Sequence, residues 1–291
     1  MRVDSPEGQV SIVPPLSERS MAYLLLLPVG LYLAIFFLVP LAQVFRDSVS
    51  NAEGGGFTLE HYALLFSDPY YARVLFQTFQ TAALVTACCL LLAYPLAYAI
   101  VRVGGVFAKS LLLIVALSFW TSFLVRTFAW MVILGNSGPL RQLMDAVGWT
   151  PSPQLLFTRF SSTLAMVHIL LPFMALALYS VMKKIDPNYA RAARSLGATP
   201  FDAFRKVYLP LSAPGVVNGC TLVFIMVLGF YVVPVLLGNP REQMIAGMIG
   251  TQIEEFLEFG EASATATVLL LVTLSIYAIY NRFFGLDKLW G

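Results

Sequence analysis

The chain has 291 residues, of which 58% are hydrophobic and only 12% charged, whereas soluble domains carry about 25% charged residues; with a mean hydropathy of +0.78, this rules against a soluble globular enzyme. A net charge of +2, from 18 Lys and Arg against 16 Asp and Glu, gives no bulk electrostatic drive toward nucleic acid. The 20 Gly and 17 Pro are near average usage, so neither a collagen-like nor a disordered chain fits and the apolar excess needs lipid as its solvent.

A bilayer core about 30 Å thick takes roughly 20 helical residues to cross, and six stretches reach that length with few charges. A largely polar tail, 1–20, precedes the first, 21–44, which reads as a retained span and not a cleaved signal because no clear small-residue cleavage site follows it. The others are 75–101, 108–134, 160–182, 211–237 and 262–281. They lack the alternation of barrel strands. The expected fold is therefore an all-α integral membrane protein with six transmembrane helices over 21–291. Pro28, Pro95, Pro172 and Pro234 fall inside spans, which predicts either tolerated kinks or backbone sheltered by neighbours or a cavity. Cys88, Cys89 and Cys220 lie in apolar runs and read as packing residues.

Positive loops stay in the cytoplasm. Alternate loops and both termini on one side hold 12 Lys and Arg, and the opposite side holds 5. Both termini and the loop 183–210 should accordingly be cytoplasmic. The other face carries 10 acids, which fits attraction of a cationic solute, a docking surface for a protein, or simple solvation.

The loop 183–210 contains signals for two short helices. Asp186 followed by Pro187 opens the first, Gly197 closes it in the left-handed conformation, and Thr199 followed by Pro200 and Asp202 opens the second. Pro210 marks an expected break before the fifth span. Ala190, Ala192, Ala193 and Ala198 permit close approach by another surface, and Phe201, Phe204 and Tyr208 fall near one stripe.

This segment resembles the EAA signature of permease subunits in ATP-binding-cassette (ABC) importers: a Glu-Ala-Ala triplet, three residues, Gly, nine residues, then Ile-x-Leu-Pro. Ala192, Ala193, Gly197, Leu209 and Pro210 match in register, whereas Arg191 stands for the usual Glu and Val207 for Ile. The resemblance implies a type I ABC importer permease architecture. In that architecture a coupling helix, here around Ala190, Arg191, Ala192, Ala193, Gly197, Ala198 and Pro200, fits a groove on a cytosolic ABC ATPase. The charge reversal at Arg191 implies that the ATPase offers an acid where relatives offer a base. The chain has no GxxxxGK[ST] loop of its own, so ATP and Mg belong to the partner and this subunit is non-catalytic, with no cofactor of its own.

The segment Phe119–Leu140, FWTSFLVRTFAWMVILGNSGPL, is similar to the corresponding part of polyamine (spermidine and putrescine) permeases. Related permeases serve opines, amino-acid derivatives, phosphonates and ferric iron. The implied assembly is a multi-pass subunit of the bacterial inner membrane. It would pair with a second permease, expected as a heterodimer, take solute from a periplasmic binding protein, and contact no nucleic acid.

Polar groups in or near the spans are few. Arg126 lies 17 residues beyond Lys109, roughly 26 Å further out at about 1.5 Å per residue. It reads either as a snorkelling or acid-paired residue or as part of the solute path. His168 reads as a hydrogen-bonded packing residue or a proton relay, and with His61 on another segment no catalytic or metal set is seen. Trp120, Trp130 and Tyr231 could face a cation or sit in an interfacial belt. Glu254 and Glu255, with Glu258, lie in an outer loop whose spacing predicts a helix on the membrane surface, where they meet solute, a binding protein or water. An ion-coupled transporter would be expected to carry intramembrane acids or a repeat, and neither is evident.

Overall fold

The computed structural model describes residues 18–51, 56–149 and 151–284; most of the expected tail 1–20 lies outside them. Two units divide at residue 46. In the first, α1 (Glu18–Leu33) passes through a π turn (Ala34–Leu38) into α2 (Val39–Asp47), forming an apolar helix over the first expected span. Large side chains such as Phe36 and Phe37 are exposed on it, as suits a lipid-facing surface.

The second unit is also helical, and no strand occurs among the described residues. Its elements are α3 (Glu60–Ser67), α4 (Pro69–Val103), α5 (Gly105–Leu117), α6 (Phe123–Leu134), α7 (Pro139–Ala146), α8 (Arg159–Met182), α9 (Pro187–Ser195) and α10 (Pro200–Ala203). A second π turn (Phe204–Tyr208) leads into α11 (Leu209–Leu228), followed by α12 (Val232–Leu237), α13 (Ile245–Glu254) and α14 (Phe259–Phe284). Four helices of this unit are long and apolar enough to cross a membrane: α4, α8, the continuous run Pro200–Leu228, and Phe259–Ile279.

The core is a three-helix contact of α4, α8 and α11. Ala82, Val85, Cys89, Ala93 and Ala97 of α4 recur every three or four residues and are buried, so one small-residue face lets α8 approach closely. Met166, Leu170, Met174, Leu178 and Met182 of α8 fill the space opposite. On α11, Gly215 and Gly219 form a G-x-x-x-G step that admits α8: a Cβ at Gly215 would meet Val181 at 3.0 Å, and one at Gly219 would meet the Met174 sulfur at 2.6 Å. Cys88, Cys89 and Cys220 are free thiols inside this packing.

The structure departs from the sequence expectation in four places. Where one span is expected over 108–134, the chain forms α5 and α6 separated at 118–122. Where one is expected over 211–237, α11 ends at Leu228 and α12 restarts at Val232. The first interruption holds Ser118, Thr121 and Ser122, whose side chains compete for backbone groups, and the second holds Gly229. Conversely, the break expected at Pro210 is absent: the helix continues, because the carbonyl four residues before Pro210 belongs to the π turn, whose wider geometry relieves the ring clash. The first π turn lies two residues before Pro40 in the same way. Finally, α13 forms where a surface helix is expected but buries Ile245, Gly247, Met248 and Gln252, and the Ile245 N–H donates to Thr78 Oγ1 of α4 at 2.9 Å.

The tight α8–α11 contact generates a prediction. Gly215→Leu should destabilise the purified protein by about 1–3 kcal/mol through overpacking; a thermal unfolding midpoint in detergent equal to wild type would contradict the packing described.

Candidate functional site

The hairpin α9–α10 is built by local chemistry. The Asp186 carboxylate accepts the Asn188 N–H at 2.8 Å, with Pro187 in the first turn where its missing donor costs nothing. The helix closes when the Gly197 N–H donates to the Arg194 carbonyl at 3.0 Å and the Ala198 N–H to the Ala193 carbonyl at 3.1 Å. That is a Schellman arrangement, and Gly197 supplies the required φ of +90°. Thr199 Oγ1 then accepts the Asp202 N–H at 3.1 Å and donates to the Asp202 carboxylate at 2.7 Å, while Lys206 pairs with Asp202 at 3.0 Å. All the turn and cap assignments read from the sequence are present.

What faces outward is a cationic, partly apolar surface. Arg191 and Arg194 are exposed on α9, with Ala192 beside them, and Ala190, Ala193 and Ala198 are half-buried. Arg191 donates to the Asn188 side chain at 3.3 Å. Leu196 and Phe201 are strongly exposed, so Phe201 leaves the stripe expected with Phe204 and Tyr208. Pro200, Leu209 and Pro210 are exposed on the continuous helix.

Phe204 and Tyr208 turn inward and form an aromatic joint with α4. Their rings stack at 6.0 Å; Tyr98 meets Phe204 at 5.5 Å and Tyr208 at 5.0 Å edge-on, and Tyr94 meets Phe204 at 6.2 Å. The Arg102 guanidinium lies 5.4 Å from the Tyr98 ring and 5.3 Å from the Tyr208 ring. A hydrogen bond of 2.9 Å between Tyr94 and Ser212 closes the joint. Such contacts contribute about 0.5–1.5 kcal/mol each beyond area, so the hairpin is tied to α4 as well as continuous with α11.

At the other end of α11 the two helix interruptions face each other. They border an open cavity of about 580 Å³ with α8 as its floor, lined by Ser118, Phe119, Thr121, Ser122, Phe123 and Arg126 on one side and Gly229, Phe230, Tyr231 and Val232 on the other. Ile169, Leu170, Pro172 and Phe173 of α8 and Met226 of α11 complete it. Phe119 and Phe173 meet edge-on at 4.9 Å. Ser118 Oγ donates to the Val115 carbonyl at 2.6 Å and Thr121 Oγ1 to the Ser118 carbonyl at 2.9 Å, so hydroxyls take over backbone acceptors where helical donors are missing.

Of the residues singled out for a solute path, Arg126 and Tyr231 are brought together on this cavity. The Tyr231 hydroxyl also donates to the Glu254 carboxylate at 3.3 Å, linking the rim to α13. Trp120 stands at the first interruption, strongly exposed. Trp130 does not line the cavity: its N–H donates to His168 Nδ1 at 3.1 Å, so the His168 ring, exposed on α8, serves as an acceptor for that indole. Glu255 is exposed beside Glu254. The paired interruptions were missed in the sequence, where the only signals are the hydroxyl cluster at 118–122 and the Gly229–Pro234 spacing.

Comparison with known proteins agrees with this geometry. Residues 89–286 match the family of the binding-protein-dependent transport system inner membrane component. The spermidine/putrescine transport system permease protein PotB of Haemophilus influenzae is 34% identical over 260 residues, covering 86% of this chain and 91% of that protein. PotB of Escherichia coli is 30% identical over 257 residues, covering 86% and 93%. Among solved structures, a bacterial ABC transporter involved in import of the acidic polysaccharide alginate superposes with a TM-score of 0.74 at 17% identity, covering 91% and 94% of the two chains. The MetNI methionine ABC transporter superposes with a TM-score of 0.55 at 18% identity, covering 73% and 94%; both likenesses concern the fold. Sequence match and helix arrangement agree, and the chain belongs to the binding-protein-dependent inner membrane components, the non-catalytic permease subunits of ABC importers.

Proposed function

We propose that this chain forms half of the membrane pathway of an ATP-driven importer for a polyamine or similar organic cation, working in the bacterial inner membrane with both termini and the hairpin 183–210 in the cytoplasm. The likeness to PotB along 86% of the chain carries the substrate reading, and the acid-rich loops opposite the hairpin favour a cation on electrostatic grounds. Six crossings are counted by taking α5 and α6 together as one. The partners are cytosolic ABC ATPases that bind ATP and Mg, a second, related permease, and a periplasmic binding protein.

The hairpin is the point at which the ATPases act. Ala190, Arg191, Ala192, Ala193, Gly197, Ala198 and Pro200 enter the ATPase groove, and Leu209 and Pro210 carry the connection into the membrane. Because Pro200–Leu228 is one unbroken helix, about 43 Å long at 1.5 Å per residue, displacement of the hairpin reaches the Gly229–Tyr231 interruption directly. The aromatic joint carries the same displacement to α4. ATP-driven closure of the ATPases thus reshapes the cavity between the two interruptions, and hydrolysis resets it.

Uptake of radiolabelled spermidine and putrescine by proteoliposomes containing both permeases and the ATPases, with binding protein added, tests the reading. ATP-dependent accumulation of either amine is expected; accumulation of opines or phosphonates in place of both amines would overturn the substrate.

Two variants test the transmission. Gly197→Val places a β-branched residue at φ +90°, a strain of about 1–3 kcal/mol, and should leave ATP hydrolysis running while uptake falls. Tyr98→Ala removes the ring shared by Phe204, Tyr208 and Arg102 and should lower the amount of solute moved per ATP. Full coupling in both variants would contradict the hairpin's role.

A further inference from the structure

The cavity between the interruptions carries one fixed charge and, among the described residues, no counter-charge. Arg126 Nη2 donates to the Thr121 carbonyl at 3.4 Å, a long bond, while Nε and Nη1 are buried with no hydrogen-bond partner among the described residues. No Asp or Glu lines the cavity, and Glu254, at its rim, is engaged by the Tyr231 hydroxyl. Arg126 as a whole is half-buried, and guanidinium donors withdrawn from water without a partner are unfavourable. The remaining lining is aromatic, Phe119, Phe123, Phe173 and Phe230, with the hydroxyls of Ser118 and Ser122. Aromatic walls around one cation with unmet donors suit a small group that is anionic at one end and apolar behind it.

We propose that this cavity is a carboxylate-binding subsite, in which a carboxylate accepts charge-assisted hydrogen bonds from Arg126 and is walled by the phenyl rings. Two sources supply that chemistry: a carboxylate on the solute, or an acidic side chain of the second permease reaching across the shared pathway. The proposal rests on this chain being half of a pathway, and not on the polyamine reading. The consequence for an amine is direct: a bare diamine entering the cavity meets an uncompensated positive charge, and a carboxylate seated on Arg126 removes that repulsion.

The test compares wild type, Arg126→Gln and Arg126→Lys in the reconstituted importer, using putrescine and γ-aminobutyrate, which share a four-carbon amine chain and differ by an amine against a carboxylate. If the solute brings the carboxylate, Arg126→Gln raises KM for γ-aminobutyrate by about tenfold or more and, with the repulsion gone, lowers KM for putrescine. If the second permease brings it, Arg126→Gln lowers uptake of whatever solute is carried by a similar factor and lowers the unfolding temperature of the assembled complex, and Arg126→Lys recovers part of both. An Arg126→Gln importer within about twofold of wild type in KM and kcat, with an unchanged unfolding temperature, overturns the proposal. Should wild type move neither probe, thermal unfolding of the complex decides. In that case either Arg126→Gln must lower the midpoint or added acetate must raise it in wild type alone; no difference in both measurements overturns the subsite.

Discussion

Backbone hydrogen bonding in a medium without water is the constraint from which the arrangement follows. An unsatisfied amide or carbonyl in hydrocarbon costs several kcal/mol, so a helix can be interrupted there only where other groups receive the freed donors and acceptors. This chain interrupts two helices, and it sets the interruptions against each other over α8. Hydroxyls at 118–122 take carbonyls that helical N–H groups have released. Backbone satisfaction and cavity are thus one construction: the residues that line the space include Ser118 and Thr121, whose hydroxyls take the freed carbonyls.

The same constraint separates the prolines by role. Pro210 lies within a helix that continues, because a π turn immediately before it absorbs the clash. Pro234 sits in the first turn of α12, where no helical partner for its missing N–H is required. Pro95 and Pro172 lie inside α4 and α8, which run on past them. A continuous helix therefore reaches from the hairpin to the cavity and ends at Gly229.

What the sequence made legible depended on how local the chemistry is. Asp186–Pro187, Gly197 and Thr199–Pro200 each act within four residues, and all take the expected conformations. Hydropathy also located the apolar helices, since a run of roughly 20 uncharged residues matches the thickness of a bilayer core and little else in a protein of this size demands it. It concealed the interruptions, because averaging over such a window hides departures of five residues at 118–122 and three at 229–231 when their neighbours are Phe, Trp and Leu. The aromatic joint was half visible: Phe204 and Tyr208 lie on one stripe, but their partners Tyr94 and Tyr98 are more than a hundred residues away. Arg126 was noticed as a charge in an apolar run. Its placement among rings contributed by three separate elements is tertiary information.

The π turn at Phe204–Tyr208 has a geometric consequence of its own. Inserting one residue into a helical turn advances the angular phase of everything after it by about 100°. The direction in which Val223 and Val227 point, relative to the hairpin end of the same helix, is thus fixed by that single additional residue. A one-residue insertion or deletion here therefore carries a fixed cost: either the far half of the helix keeps its buried face, or the hairpin half keeps its orientation, and a change of length forfeits one of them.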